Sequence, residues 1–266
     1  MKNIMLPAPY KVLSITKETK AEYTFRVACG LQCGHGQFFQ LSIPKIGEAP
    51  ISVSAKGTSD GLSWLEFTIR KVGKLTKGVF GLMPGDNVFM RGPYGNTFPM
   101  DLLKEKPVAV ITGGTGLAAV RSMLHEFEAD SKRACPVYLV AGFTDMDSVL
   151  FADDLKRFKK CFNTVCTLDN TSAEGFEKGL VTEHLEKIPF KSLSGLSVVI
   201  VGPPVTIRKT AEKCASAGVS PENIWTSIER KMSCAVGKCG HCKINGTYVC
   251  LEGPVFNYKE AENLLD

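Results

Sequence analysis

Cys234, Cys239, Cys242 and Cys250 are the residues whose type and spacing most narrowly define a chemistry in this sequence. A C-x4-C-x2-C run followed by a fourth cysteine is the ligand spacing of plant-type [2Fe–2S] clusters. Soft thiolates suit iron–sulfur binding, and a tight loop brings three sulfurs onto one small cluster. Gly237 and Gly240 let that loop fold back with backbone N–H groups turned toward the sulfides. Lys231, Lys238 and Lys243 flank the run and offset its negative charge. Two other chemistries also use four cysteines. Structural zinc favours pairs of C-x2-C type, and two disulfides need an oxidising compartment. His241 lies between two of the cysteines, where a hydrogen bond from it would tune a potential.

A second constellation is built from glycines. Gly113, Gly114, Thr115 and Gly116 follow an apolar run and open a helical stretch, the setting of a loop that admits a pyrophosphate at a helix N-terminus. Gly202, Pro203 and Pro204 end a later apolar run. Either turn alone is also explained as packing; two at the same sheet edge outline a nucleotide crevice. Nearer the N-terminus, residues 48–54 put hydroxyls on alternate positions of a short strand, suited to the edge of a flat polar ring. Residues 69–76 supply Arg70, a turn at Gly73 and the Thr76 hydroxyl before a helix, suited to a diphosphate. Both also read as ordinary surface strands and turns.

The elements that must position these residues change character near residue 101. Before it, short alternating segments are punctuated by Gly and Pro, with Tyr23, Phe25 and Val27 on one face and Leu65, Phe67 and Ile69 on another. Residues 37–43 and 87–91 are further strands, and the pattern predicts a small closed barrel or sandwich. After it, apolar strands at 108–112, 136–141, 163–168 and 198–201 alternate with helices at 116–127, 148–160 and from Pro204 to near Gly218. That pattern predicts a parallel sheet covered on both faces. The expected organisation is a β barrel over residues 1–100, an α/β nucleotide-binding domain over 101–228 and a small cysteine module over 229–266.

Composition narrows the function classes. Of 266 residues, 44% are hydrophobic and 22% charged, and the net charge is +5 without a long basic run, which argues against nucleic acid. No apolar stretch approaches the ~20 residues of a membrane span. The N-terminal residues lack a signal-peptide pattern, so a reducing, cytoplasmic setting is expected. Cys161, Cys166 and Cys214 read as core thiols, and Cys29 and Cys33 as part of a glycine-bearing loop rather than a ligand pair. His35, His125, His184 and His241 read as surface or structural. No nucleophile–base arrangement is evident, so no catalytic side chain is assigned.

In their order, these pieces resemble the ferredoxin–NADP reductase superfamily, and within it the branch with a C-terminal [2Fe–2S] loop. That branch includes dihydroorotate dehydrogenase electron-transfer subunits, sulfhydrogenase gamma subunits and the corresponding electron-transfer subunits of anaerobic sulfite reductases. Gly47-Glu-Ala-Pro-Ile-Ser-Val-Ser54, Gly92-Pro-Tyr-Gly-Asn96, Val201-Gly-Pro-Pro204 and the stretches 229–242 and 250–258 carry the resemblance to the last of these. It implies FAD on the barrel, NADH on the second domain, and a cluster that passes electrons to iron–sulfur and siroheme-containing subunits reducing sulfite to sulfide. The alternative is the same module serving a hydrogenase or dihydroorotate dehydrogenase. A zinc-stabilised binding protein without catalysis is the alternative of another class.

Carried onto this sequence, the resemblance implies flavin-ring contacts at Ala49, Pro50, Ile51 and Ser52. It implies ribityl and phosphate contacts at Thr68, Ile69, Arg70, Leu75 and Thr76. Nicotinamide contacts fall at Gly113, Gly114, Thr115, Gly116, Gly202 and Pro203. Two departures stand out. Ala49 replaces an arginine common in the superfamily, leaving Arg70 or Lys74 to supply a cation, and Ala119 replaces a frequent proline. No basic residue lies in 141–147, where Asp145 and Asp147 predict NADH over NADPH unless they only cap the next helix. The basic stretch from Arg230 to Lys243, with residues 253–256 after it, is the expected docking face for an acidic partner.

Overall fold

The computed structural model describes residues 5–265. The chain divides into two compact units, one made of residues up to Thr97 together with Glu229–Pro254, the other of Phe98–Ile228 together with residues from Val255 onward.

The first unit opens with β1 (Ala8–Lys17), β2 (Glu22–Ala28), β3 (Phe38–Ile43), β4 (Gly47–Ser52), β5 (Ala55–Ser59), β6 (Leu62–Arg70), helix α1 (Lys74–Val79) and β7 (Asn87–Tyr94). The strands form one antiparallel sheet in the order β4-β3-β7-β1-β2-β6-β5. β4 and β5 are its two edges, yet only Val53 and Ser54 separate them in the chain, so the sheet curls until its edges meet. Val53 N donates to Gln37 O at 3.1 Å and Ser54 N to Glu66 O at 2.8 Å, which fastens that corner. The result is barrel-like.

The alternation seen in the sequence fills the barrel. Phe25, Val27, Phe39, Leu41, Leu65, Phe67, Ile69, Val88 and Met90 are all buried within one core. Phe39 and Phe67 meet edge to face at 5.7 Å. Burying each such side chain contributes roughly 1.5–3 kcal/mol, enough to set the register of every strand that carries two of them. β1 and β5 were not anticipated, for a physical reason. β5 sends only Ala55 inward, and in β1 the alternation of Tyr10, Val12 and Ile15 is broken by a register irregularity between Val12 and Ser14.

The second unit contains α2 (Met100–Lys104), β8 (Val108–Gly113), α3 (Gly116–Ala129), β9 (Val137–Phe143), α4 (Ala152–Cys161), β10 (Asn163–Leu168), β11 (Glu177–Lys178), β12 (Ser197–Val201), α5 (Pro204–Ser216) and β13 (Ile224–Ser227). The chain then contributes β14 (Lys243–Ile244), β15 (Thr247–Tyr248) and α6 (Val249–Glu252) to the first unit. It returns to the second with β16 (Val255–Asn257) and α7 (Tyr258–Ala261). The second sheet runs β11-β10-β9-β8-β12-β13-β16. Its neighbours are parallel except β16, which lies antiparallel to β13. Val108, Ala109, Val110 and Ile111 on β8 and Val198, Val199 and Ile200 on β12 are wholly buried, as strands covered on both faces require.

Two expectations change here. The helix predicted from residue 148 begins only at Ala152. Asp145 and Ser148 close a short 3-10 turn, and Phe151, in the left-handed region at φ 55°, interrupts the helical path. Cys161 is exposed at the end of α4, whereas Cys166 and Cys214 are core thiols. Helices α3 and α4 are joined through Asp154, which is bound by Arg121, by His125 Nε2 at 3.1 Å and by Arg157 Nη2 at 2.8 Å. Among the described residues no helix is long and apolar enough to cross a membrane.

Candidate functional site

The cysteine loop hangs from the first unit. Ala235 at φ 61°, then Gly237, reverse the backbone so that successive amides turn inward. Val236 N, Lys238 N and Cys239 N lie 3.4, 3.3 and 3.4 Å from Cys234 Sγ, and Gly237 N lies 3.2 Å from Cys250 Sγ. At Gly237, φ is 69°, in the left-handed region that favours glycine; an added Cβ would fall 2.2 Å from Leu251 Cδ1, which that exposed side chain can vacate. The hydrogen bond from the His241 backbone, helped by Cys234, draws the exposed Cys239 thiol down to about 7. Burial, then the neighbouring Cys242 thiol, pushes Cys250 up to about 12.

Amides aimed at sulfurs suit a thiolate-held anionic cluster. All ten cysteines are free thiols. Among the described residues no three such side chains already converge at metal-ligand geometry, so the thiols stand as hydrogen-bonded neighbours. The His241 side chain is exposed.

This loop is gripped at its start by the barrel. Gln40 Nε2 donates to Met232 O at 3.2 Å; Arg91 donates to Ser233 O and Cys234 O, each at 2.7 Å. Arg91 is 5% exposed and also binds the Glu48 carboxylate through Nε and Nη2 and the Tyr94 hydroxyl at 3.2 Å. Neither Arg91 nor Gln40 was singled out from the sequence, and Glu48 only as the first residue of the segment 48–54. Their partners lie up to 192 residues away, beyond any local pattern, and the one available signal is a charged residue inside an apolar strand.

Ala49, Pro50, Ile51 and Ser52 sit half-buried on β4. At the sheet edge β4 has β3 as its one ladder partner, so a row of its backbone groups is left for other bonds. Ile69 points into the core and offers only backbone, while Leu75 packs against that core. Thr68 Oγ1 is 2.9 Å from both Thr24 Oγ1 and Ser54 Oγ. Arg70 is paired with Glu22. Thr76 lies inside α1 rather than before it. Its hydroxyl accepts from Val72 N at 3.0 Å and Gly73 N at 2.9 Å and donates to Gly73 O, so it shapes the loop.

In the second unit the two glycine turns touch. β8 and β12 are adjacent, with Thr112 opposite Val201, and the chain proceeds outward from them in both directions, which makes this the topological switch point. A Cβ on Gly116 would lie 2.3 Å from Val201 O, and one on Gly202 would lie 3.2 Å from Gly113 N. Gly114, between them, would meet nothing within 4 Å, which leaves room over the turn. Thr115 and Pro203 head α3 and α5. Asp145 accepts from Ser148 N at 2.9 Å. Burial, then Asp145, holds the Asp169 carboxyl above the usual range, so two carboxylates neighbour each other at the ends of β9 and β10.

One docking expectation is corrected. Lys231, Lys238 and Lys243 are exposed, but residues 253–256 are buried and present no surface.

Two family models match: the oxidoreductase NAD-binding domain over residues 110–212, and the iron–sulfur cluster binding domain of dihydroorotate dehydrogenase B over residues 229–262. Among curated proteins, the sulfhydrogenase 2 gamma subunit of Pyrococcus furiosus is 34% identical, covering 85% of this chain and 83% of the relative. The sulfhydrogenase 1 gamma subunit of the same organism is 34% identical over 97% and 95% of the two. A probable dihydroorotate dehydrogenase B (NAD(+)) electron-transfer subunit of Methanocaldococcus jannaschii is 30% identical over 94% and 89%. Among solved structures, an NADH-dependent reduced ferredoxin–NADP oxidoreductase superposes with a TM-score of 0.78 at 22% identity, over 95% of this chain and 89% of that one. A ferredoxin–NADP+ reductase from Neisseria gonorrhoeae gives 0.70 at 19%, over 83% and 97%. Both share the fold.

Proposed function

Because the chain belongs to the family of sulfhydrogenase gamma subunits and dihydroorotate dehydrogenase B electron-transfer subunits, we propose that it oxidises NADH and passes electrons through FAD and a [2Fe–2S] cluster to a partner protein. When bound, the flavin would accept a hydride and the cluster would carry single electrons. The chain's own residues hold and orient. Gly113, Gly114, Thr115, Gly116, Gly202 and Pro203 form the nicotinamide crevice, and Ala49–Ser52 border the flavin ring. Thr68, Ile69, Arg70, Leu75 and Thr76 surround its tail, and Cys234, Cys239, Cys242 and Cys250 ligate the iron. The carrying observation is the Arg91 side chain, which binds both Glu48, next to Ala49, and the Cys234 carbonyl.

The acceptor is a finer matter. The similar proteins support the hydrogenase or dihydroorotate dehydrogenase alternative over sulfite reduction, which rests on the motif resemblance alone. The carboxylates of Asp145 and Asp169 support NADH, since either would repel a 2′-phosphate. Anaerobically purified protein should carry about two irons and two sulfides per chain with flavin absorption. It should reduce one-electron dyes with NADH in preference to NADPH, and leave sulfite untouched. Stoichiometric zinc with no iron after reconstitution would overturn the reading. Co-purification then separates the acceptors by whether the partner carries siroheme, nickel–iron or dihydroorotate chemistry.

A further inference from the structure

The first residues of the cysteine loop are held by something other than the loop itself. Three consecutive carbonyls, Met232, Ser233 and Cys234, accept hydrogen bonds from side chains of the barrel: Gln40 Nε2 at 3.2 Å and Arg91 at 2.7 Å twice. Gln40 and Arg91 face each other on neighbouring strands. Both are buried, at 0% and 5% exposure, so these donors are removed from water and stay aimed. That grip fixes the chain up to Cys234; the backbone then reverses at Ala235, φ 61°, and the amides of 236 to 239 meet sulfur.

Resting on the electron-transfer reading, we propose that Arg91 is a positioning residue for the [2Fe–2S] cluster with two separable roles. Its planar fork fixes the path of the loop through Cys234, and its charge, set against that of Glu48, biases the cluster's reduction potential. The fork role follows from geometry. One guanidinium serves two carbonyls, a carboxylate and a tyrosine hydroxyl, a set that a lysine ammonium with three donors cannot match. The charge role follows from electrostatics. Reducing the cluster adds one negative charge, and a buried cation beside the first ligand favours that state, while Glu48 opposes it. The Glu48 side chain is 31% exposed against 3% for Arg91, so the cation is the less screened of the pair. The same guanidinium joins β4 to the cysteine loop, so the two cofactor seats in this unit share one fastener.

The test uses the full chain, reconstituted anaerobically, in three variants: Arg91→Lys, Arg91→Gln and Glu48→Gln. Iron release to a chelator reads the fork, and a redox titration of the cluster followed by its spectrum reads the charge. Arg91→Lys should lose iron about tenfold or more faster than wild type, the scale of losing an outer partner of a metal ligand, while its potential stays close to wild type. Arg91→Gln should release iron as fast and shift the potential negative. Glu48→Gln should shift it positive. A role limited to stability would speed iron release in all three without opposite shifts. Shifts of the same sign, or wild-type iron retention in both Arg91 variants, would overturn the proposal. Where Arg91→Gln does not fold, Arg91→Lys and Glu48→Gln still decide both roles. Failure of the wild type to take up iron would instead count against the electron-transfer reading itself.

Discussion

The glycine crevice and the cysteine loop are shaped by opposite means. The crevice is a product of backbone packing. β8 and β12 lie in register, and Gly116 and Gly202 bring main chain against main chain. Nothing with a Cβ fits at Gly116, and no remote side chain is needed. The cysteine loop has two two-residue strands and a four-residue helix for regular structure, and depends on Gln40 and Arg91, more than 140 residues earlier, to hold its course. A site made of backbone is carried by its own few residues. A site made by side-chain bonds is only as well placed as the most distant residue that holds it.

The sharpest way to break this contrast is Cys239→Ser. It should abolish the cluster outright while NADH affinity stays within about twofold of wild type, because the ligand and the crevice belong to different units. Iron analysis and a nicotinamide titration check it, and a large loss of NADH binding would erase the distinction.

Next in size is Asp154→Asn. Its carboxylate is held well below the usual range; burial opposes this, but His125 and Arg121 outweigh it. A depressed carboxylate gives stability that is present above its unfolded pKa, near 4, and is lost as pH falls through the folded value. Removing it should cost about 3 kcal/mol at neutral pH and flatten the acid limb of the stability curve. Denaturant melts across pH measure both, and an unchanged acid limb would show that the ionised form is not what joins α3 to α4.

Gly116→Ala should cost roughly 1–3 kcal/mol, since the added Cβ at 2.3 Å from Val201 O can be relieved only by moving main chain. NADH binding should fall with it, while cluster content holds. The smallest effect should come from salt. Electron transfer to an acidic partner should slow as ionic strength rises, through Lys231, Lys238 and Lys243, and a flat salt profile would remove these lysines from the docking face.

Legibility in the sequence followed the same division. The strands at 22–28, 62–70 and 163–168 were readable because their apolar residues alternate or run together, and burial of those residues is what forms them. The glycine turns were readable because their structure is local. β1 was not, since a register irregularity breaks its alternation, and β5, β13 and β16 were not, since each is short of core side chains or is defined by its neighbours. The four cysteines announced themselves by spacing. The residues that steer them did not, because a hydrogen bond from Arg91 to a carbonyl leaves no trace in the sequence around the acceptor.

The chain passes from the first unit into the second between Pro254 and Val255, and β16 completes the second sheet only a few residues after Cys250 completes the cysteine set. The C-terminal stretch is therefore no detachable cassette. Grafting residues 229–266 onto another reductase would strip an edge strand from one sheet and leave Gln40 and Arg91 of the other facing nothing. A transplant of this electron outlet has to carry its grip on the barrel and its tail in the α/β sheet together.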